Sequence, residues 1–224
     1  HRDIKPKTIV VTDISDDRIN RAKQILTVEE AKNNGVDLHY VNPNNYENNI
    51  EYIKGLNNES GFDDVMVYVP IKALVEQADL LLGKDGCMNF FAGPIDSKFS
   101  SEINMYNIHY QATKIIGSTG GNTDDMLESL EMTSKGLINP AVMLTHVGGL
   151  DSAAATIQNL PKIPGGKKII YTQVNMPLTE IDNFESLSSL NPKFSELAKI
   201  CSKNNNLWSL EAENFLLENF VEEN

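Results

Sequence analysis

The sequence predicts an α/β chain built on a parallel sheet, and three observations carry that prediction. Between Thr8 and Thr172, short β-branched apolar runs alternate with stretches whose apolar residues recur at helical spacing. Gly and Pro fall mainly where one kind of stretch gives way to the other. No apolar run approaches the ~18 residues of a membrane span.

Each element follows from the same signals. Residues 8–13, Thr-Ile-Val-Val-Thr-Asp, form the first strand, and 16–26 form a helix with Ile19, Ala22, Ile25 and Leu26 on one face, capped by Ser15 or Asp16. A second strand over 37–41 precedes a helix over 46–56, whose apolar face holds Ile50, Ile53 and Leu56. The third strand, 64–69, ends at Pro70; the helix over 71–82 stops at Gly83; the fourth strand, 87–91, stops at Ala92-Gly93-Pro94. After an irregular stretch, a fifth strand over 111–116 runs into Gly117-Ser118-Thr119-Gly120-Gly121. Thr123 then caps a helix with Asp124, Asp125 and Glu128 near its amino end, where the macrodipole favours acids. An extended segment over 141–147, a helix over 151–160 and a sixth strand over 168–172 follow. Beyond Gln173 no strand is expected, and Trp208, Phe215, Leu216 and Phe220 fit one or two amphipathic helices.

The 224 residues carry 19 basic and 31 acidic side chains, a formal charge of -12. The electrostatic footprint of a general nucleic-acid or anionic-membrane binder is therefore absent. Cys87 and Cys201 are too few for a disulfide framework or a four-cysteine zinc cluster, which points to a reducing, cytoplasmic setting. The amino end lacks the apolar centre of a signal peptide.

The informative acid is Asp13, at the carboxyl end of the first strand. In a dinucleotide-binding sheet such an acid accepts hydrogen bonds from the adenosine ribose and repels a 2′-phosphate, although a strand also ends in Asp as an ordinary turn or helix cap. Arg18 lies close enough in sequence to pair with a 2′-phosphate, and the balance favours NAD over NADP. Ligands of open α/β sheets lie across the carboxyl ends of the strands, which here are Asp13, Val69-Pro70, Ala92-Gly93 and Ser118-Thr119. The small residues among them permit close approach of a ligand, or merely end the strands. His1, His39, His109 and His146 share no metal-ligand spacing. There is no nucleophile elbow and no P-loop. Lys167-Lys168 could reach a phosphate, though a basic pair opening a strand is usually solvated.

Three stretches taken together carry a resemblance: Ile9-Val10-Val11-Thr12-Asp13, then Gly117-Ser118-Thr119-Gly120-Gly121, then His146-Val147-Gly148-Gly149-Leu150-Asp151 leading to Pro164-Gly165-Gly166-Lys167-Lys168. They resemble the cofactor domain of zinc-dependent medium-chain dehydrogenases, in particular the sugar-phosphate branch, and Trp208-Ser209-Leu210-Glu211-Ala212-Glu213 resembles the tail of that branch. The resemblance implies a Rossmann-type doubly wound sheet: residues 1–172 a partial NAD-binding domain, and 173–224 a helical tail. It also implies that the first strand of that sheet and a GroES-like domain, where the zinc belongs, are missing upstream. In the strand order of such sheets the missing strand lies between the strands at 8–13 and 64–69, so both would have an open edge, and the chain by itself is expected to be marginal or to aggregate.

The implied chemistry is hydride transfer between NAD(H) and a sugar or polyol phosphate, by a homo-oligomer that engages neither nucleic acid nor membrane. The chain contributes Asp13 and Arg18 at the ribose, Val69 and Pro70 beside the adenosine, Ala92, Gly93, Ser118 and Thr119 near the nicotinamide, and no catalytic residue or zinc ligand. Two other functions share the pattern: a noncatalytic nucleotide-binding module, and a methyltransferase whose S-adenosylmethionine ribose is held by an acid at the same place.

Overall fold

The structure, a computed structural model, describes residues 5–220. His1 and the last two glutamates, Glu222 and Glu223, lie outside the described residues. The chain begins β1 (Thr8–Thr12), α1 (Asp16–Ile25), α2 (Val28–Asn33), β2 (Asp37–Val41), α3 (Asn49–Gly55), β3 (Phe62–Val67) and α4 (Lys72–Leu81). It continues with β4 (Leu82–Phe90), α5 (Met105–Tyr110), β5 (Lys114–Gly117), α6 (Thr123–Ser134), β6 (Leu144–Gly149) and α7 (Ala153–Asn159). The remainder holds β7 (Lys167–Tyr171), β8 (Thr179–Glu180), α8 (Pro192–Lys203) and α9 (Leu210–Asn219). The described residues form two compact units, one ending at Leu127 and the other beginning at Glu128.

In the first unit β1 pairs in parallel with β2, and β3, β4 and β5 form a second parallel sheet in that order. Neither β1 nor β3 has a described strand hydrogen-bonded to its other edge. Both strands also carry exposed apolar side chains, Val11 and Met66. Val67, Val75, Ala78 and Met88 form the core between α4 and the three-stranded sheet, with Phe90, Ala92, Phe99 and Ile103 packed around it.

Three local expectations need correction. Asn122, not Thr123, caps α6: its Oδ1 accepts from Asp124 N at 2.7 Å and Asp125 N at 3.1 Å, while Asp125 Oδ2 accepts from Asn122 N at 2.7 Å. The reciprocal pair satisfies donors that a helix start leaves orphaned. Next, β4 begins at Leu82 rather than 87 and runs through Gly83 and Gly86. Glycine is required there, because a Cβ on Gly83 would meet Ser60 O at 2.7 Å and one on Gly86 would meet Phe62 O at 2.7 Å. Finally, a strand does follow Gln173: β8 pairs antiparallel with β6, His146 opposite Glu180 and Val147 opposite Thr179.

In the second unit β6 is the central strand, flanked by parallel β7 and antiparallel β8. Its Val147, fully buried, packs with Tyr171, Phe184, Leu197, Cys201, Trp208 and Leu216, so residues beyond 173 share one core with β6 and β7. Burial pushes the Tyr171 hydroxyl up to about 12 and the Cys201 thiol up to about 11. The unfolded chain loses these protons near their ordinary values of 10.0 and 9.0. Between those limits the unfolded state binds fewer protons than the folded one, so stability must fall as pH rises. The expected result is a urea midpoint that drops across about pH 9 to 12, with Tyr171→Phe flattening the upper part of the curve; an unchanged slope in that variant would remove Tyr171 as a cause.

Candidate functional site

The ladder of β1 and β2 extends one step past the strand, where Asp13 N–H donates to Val41 O at 3.2 Å. This places Asp13 at the carboxyl end of a parallel pair. Its Oδ1 accepts from Ser15 N at 2.8 Å and from Arg18 Nη2 at 2.7 Å, and its Oδ2 accepts from Arg18 Nε at 2.8 Å. Local sequence explains the geometry. Ser15 caps α1 by accepting from Arg18 N, which sets the first helical turn and brings the Arg18 fork back over the carboxylate. The Arg18 hydrogen bonds hold the Asp13 carboxyl below the usual carboxylate range; burial opposes them and the Ser15 N–H adds to them.

Asn42, a residue the sequence does not single out, secures this corner from the end of β2. Its Nδ2 donates to Ile14 O at 3.3 Å and to Asp16 Oδ1 at 2.8 Å, and its Oδ1 accepts from Asn44 N at 3.1 Å. It is buried with both its amide nitrogen and its oxygen hydrogen-bonded, as a buried amide requires.

The other six residues follow the carboxyl ends of the second sheet. Register aligns Val67, Phe90 and Gly117 across β3, β4 and β5, so Val69-Pro70, Ala92-Gly93 and Ser118-Thr119 leave the sheet on the same side. Val69 and Pro70 are exposed, and Ile71 N–H donates to Val69 O at 2.9 Å, tightening the turn around the proline. Ala92 is half-buried against the Val67–Met88 core. Gly93 has φ of 56° with open space where a Cβ would be, so glycine serves backbone conformation there rather than close packing.

Ser118 N–H donates to Phe90 O at 3.5 Å, and Ser118 Oγ donates to Asn89 Oδ1 at 3.0 Å. Asn89, on β4, thus orients the first residue beyond β5. Tyr68 meets Phe91 edge-on with centroids 6.1 Å apart, adding an exposed aromatic pair to this end of the sheet. The structure therefore brings Arg18 of α1 onto Asp13 at the end of one ladder and places the other six residues at the ends of one sheet.

Lys168 is not available to a phosphate. Its Nζ donates to Pro164 O and Gly166 O, each at 2.8 Å, and to Ile163 O at 3.4 Å, clamping the loop before β7. Among the described residues, no three His, Cys, Asp or Glu side chains converge as metal ligands. His39 faces Asp37 at 3.0 Å and His146 contacts its neighbour Thr145 Oγ1 at 2.9 Å, each a local contact. No described helix is long and apolar enough to cross a membrane.

The sequence model of the zinc-binding dehydrogenases matches residues 5–135, which include every residue of the two clusters. Mannitol-1-phosphate 5-dehydrogenase of Aliivibrio fischeri is 53% identical over 215 residues, covering 96% of this chain and 51% of that protein. L-sorbose 1-phosphate reductase of Klebsiella pneumoniae is 36% identical over 217 residues, covering 97% of this chain and 50% of that protein. The chain thus spans about half the length of the curated relatives it matches. Among solved structures, a putative zinc-binding dehydrogenase from Sinorhizobium meliloti bound to NADP superposes with a TM-score of 0.60 at 18% identity, over 74% of this chain and 45% of that one. At that identity the likeness shows a shared fold.

Proposed function

Because this chain belongs to the zinc-binding dehydrogenase family, we propose that it supplies the NAD(H)-binding part of an oxidoreductase acting on a sugar or polyol phosphate in a reducing, cytoplasmic compartment. When bound, a nicotinamide exchanges a hydride with a carbinol or carbonyl carbon; the described residues bind and orient it. The observation that carries this proposal is the Asp13 carboxylate, at the carboxyl end of a parallel strand and fixed by Ser15 and Arg18. In this reading Oδ2, which accepts from Arg18 Nε, also takes a ribose hydroxyl. Exposed Val69, with Pro70, offers an apolar surface to the adenosine. Ala92, Gly93, Ser118 and Thr119 present backbone and a hydroxyl to the nicotinamide end, where Asn89 holds Ser118.

The phosphate-bearing substrate is inferred from kinship: identity to the mannitol-1-phosphate enzyme, 53%, exceeds that to the L-sorbose 1-phosphate enzyme, 36%, which favours a polyol phosphate. Asp13→Ala tests the cofactor assignment directly. Losing a charge-assisted hydrogen bond to a ribose hydroxyl costs about 1.5–3 kcal/mol, so in the complete protein the variant is expected to bind NADH roughly 10- to 100-fold more weakly by fluorescence titration. Unchanged NADH affinity in Asp13→Ala would remove Asp13 from the site and the proposal with it.

A further inference from the structure

An asparagine side chain closes into a cyclic imide when the backbone nitrogen after it attacks its amide carbon, and that nitrogen is least shielded where the next residue is glycine and carries no Cβ. Of the 25 asparagines in this chain, Asn34 alone precedes a glycine. Asp85 is the one aspartate that does so, and an aspartate closes the same ring by losing water instead of ammonia. The two places are alike along the chain and unlike in the fold.

Asp85 and Gly86 lie inside β4. Asp85 N–H donates to Gln111 O at 2.7 Å, and Asp85 O accepts from Lys114 Nζ at 3.2 Å. Gly86 is buried, and a Cβ on it would meet Phe62 O at 2.7 Å and Gly83 O at 2.9 Å. The backbone rotation that brings Gly86 N onto the Asp85 carboxyl carbon has no room there.

Asn34 and Gly35 are both exposed, at the carboxyl end of the six-residue helix α2. No atom stands within 4 Å of the place a Gly35 Cβ would take. The bonds that hold the pair run within the end of α2 or to exposed Lys5. Asn34 Nδ2 donates to Glu30 O at 2.9 Å, Gly35 N–H to Lys32 O at 2.9 Å, Val36 N–H to Ala31 O at 3.0 Å, and Lys5 Nζ to Asn34 O at 3.3 Å. A helix this short has little stability of its own, and helix ends open locally while the rest of a fold stays closed.

We propose that Asn34 is a site of spontaneous deamidation, the first asparagine of this chain to convert. Gly35 N attacks Asn34 Cγ; the new C–N bond forms, the Cγ–Nδ2 bond breaks, and ammonia leaves with the proton that Gly35 N gives up. Water then opens the imide at Cγ, giving aspartate, or at the main-chain carbonyl carbon, giving isoaspartate, in which the chain runs through the side-chain carbons. Water is the only co-reactant. Either product moves the formal charge from -12 to -13. It sets an anion at the carboxyl end of α2, where the macrodipole disfavours one, and turns the donor facing Glu30 O into an acceptor. Isoaspartate also adds a backbone carbon shortly before Asp37, the first residue of β2, whose N–H donates to Lys7 O at 2.8 Å.

The test is isoelectric focusing and peptide mapping by mass spectrometry of the complete protein held in warm, mildly alkaline buffer. The first acidic species to appear is expected to carry both aspartate and isoaspartate at position 34, with Asp85 unchanged. Opening the Gly35 and Val36 backbone bonds should slow conversion roughly 30-fold relative to the chain unfolded in guanidinium chloride. Asn34→Gln, whose longer side chain closes a less favourable ring, should lose that species, and Asn34→Asp should focus with it from the start. A first conversion at any other asparagine, or isoaspartate at 85 ahead of 34, overturns the proposal. Conversion at 34 more than about 1,000-fold slower in the folded protein than in the unfolded chain does the same, because the α2 end would then be closed to the reaction. Aspartate at 34 without isoaspartate overturns the imide route.

Discussion

Gly149→Ala is expected to destabilise the second unit by about 3 kcal/mol or more, the sum of overpacking and of hydrogen bonds that must be given up. Gly149 ends β6, and its N–H donates to Met176 O at 2.9 Å while Leu150 N–H donates to Val174 O at 3.1 Å. Residues 174–176 therefore lie directly against the strand. A Cβ on Gly149 would overlap Val174 O, and it would approach Met176 N to 2.6 Å and Asp151 Oδ1 to 2.7 Å.

Two of those three atoms are backbone, which cannot rotate aside as a side chain can. Relief requires segment 174–176 to move away, breaking both backbone bonds and the one from Met176 N to Asp151 Oδ1 at 3.2 Å. Gly55→Ala is the control, because Gly55 lies in α3 with open space around a Cβ and no positive φ. Alanine there should be neutral or stabilising by up to about 1 kcal/mol. Urea unfolding followed by circular dichroism separates the two, and a Gly149→Ala midpoint within error of wild type would sink the packing argument.

Trp208→Ala should cost about 3–5 kcal/mol, the range for deleting a buried aromatic. The indole is 4% exposed and meets Tyr171 and Phe184, each with centroids 6.3 Å apart. It is also a hydrogen-bond donor: Nε1 donates to the Tyr171 hydroxyl at 2.9 Å. Truncation leaves a cavity beside the β6–β7 sheet and removes the donor to a buried oxygen. Trp208→Phe keeps most of the volume and loses the donor, so its cost should be smaller, about 1–3 kcal/mol. Since Trp208 is the chain's single tryptophan, unfolding must be followed by circular dichroism rather than by intrinsic indole fluorescence. Equal losses in the two variants would mean that the hydrogen bond, not ring volume, dominates.

Much of the order of elements is legible along the chain. The run Ile9-Val10-Val11 followed by Asp13, and the helical spacing from Ile19 to Ile25, place β1, the acid and α1 where the structure has them. Other parts carry weak signals. α2 is a polar turn and a half, Val-Glu-Glu-Ala-Lys-Asn, that buries only Ala31. α5 is six residues without a buried face. The first half of β4, Leu-Gly-Lys-Asp-Gly, reads as a turn and becomes strand because its glycines let the 60–62 backbone come close.

The candidate site divides in the same way. Asp13 can be read from its place at a strand end, whereas Asn42 and Asn89 look like any other asparagine. Asn42 reaches Asp16 across 26 residues and Asn89 reaches Ser118 across 29, contacts that exist only because β2 pairs with β1 and β4 with β5 in one register.

By itself the sequence determined most of the strands and the longer helices and which residue types stand at their ends, because apolar period, caps and turn residues act over a few positions of chain. Only the tertiary structure decided that the strands divide among three sheets, that β6 takes an antiparallel neighbour, and that Asp13 carries a guanidinium. Strand pairing and ion pairing depend on distances in space between groups whose separation along the chain does not set those distances, and the charge state of a site follows from what folding places beside it.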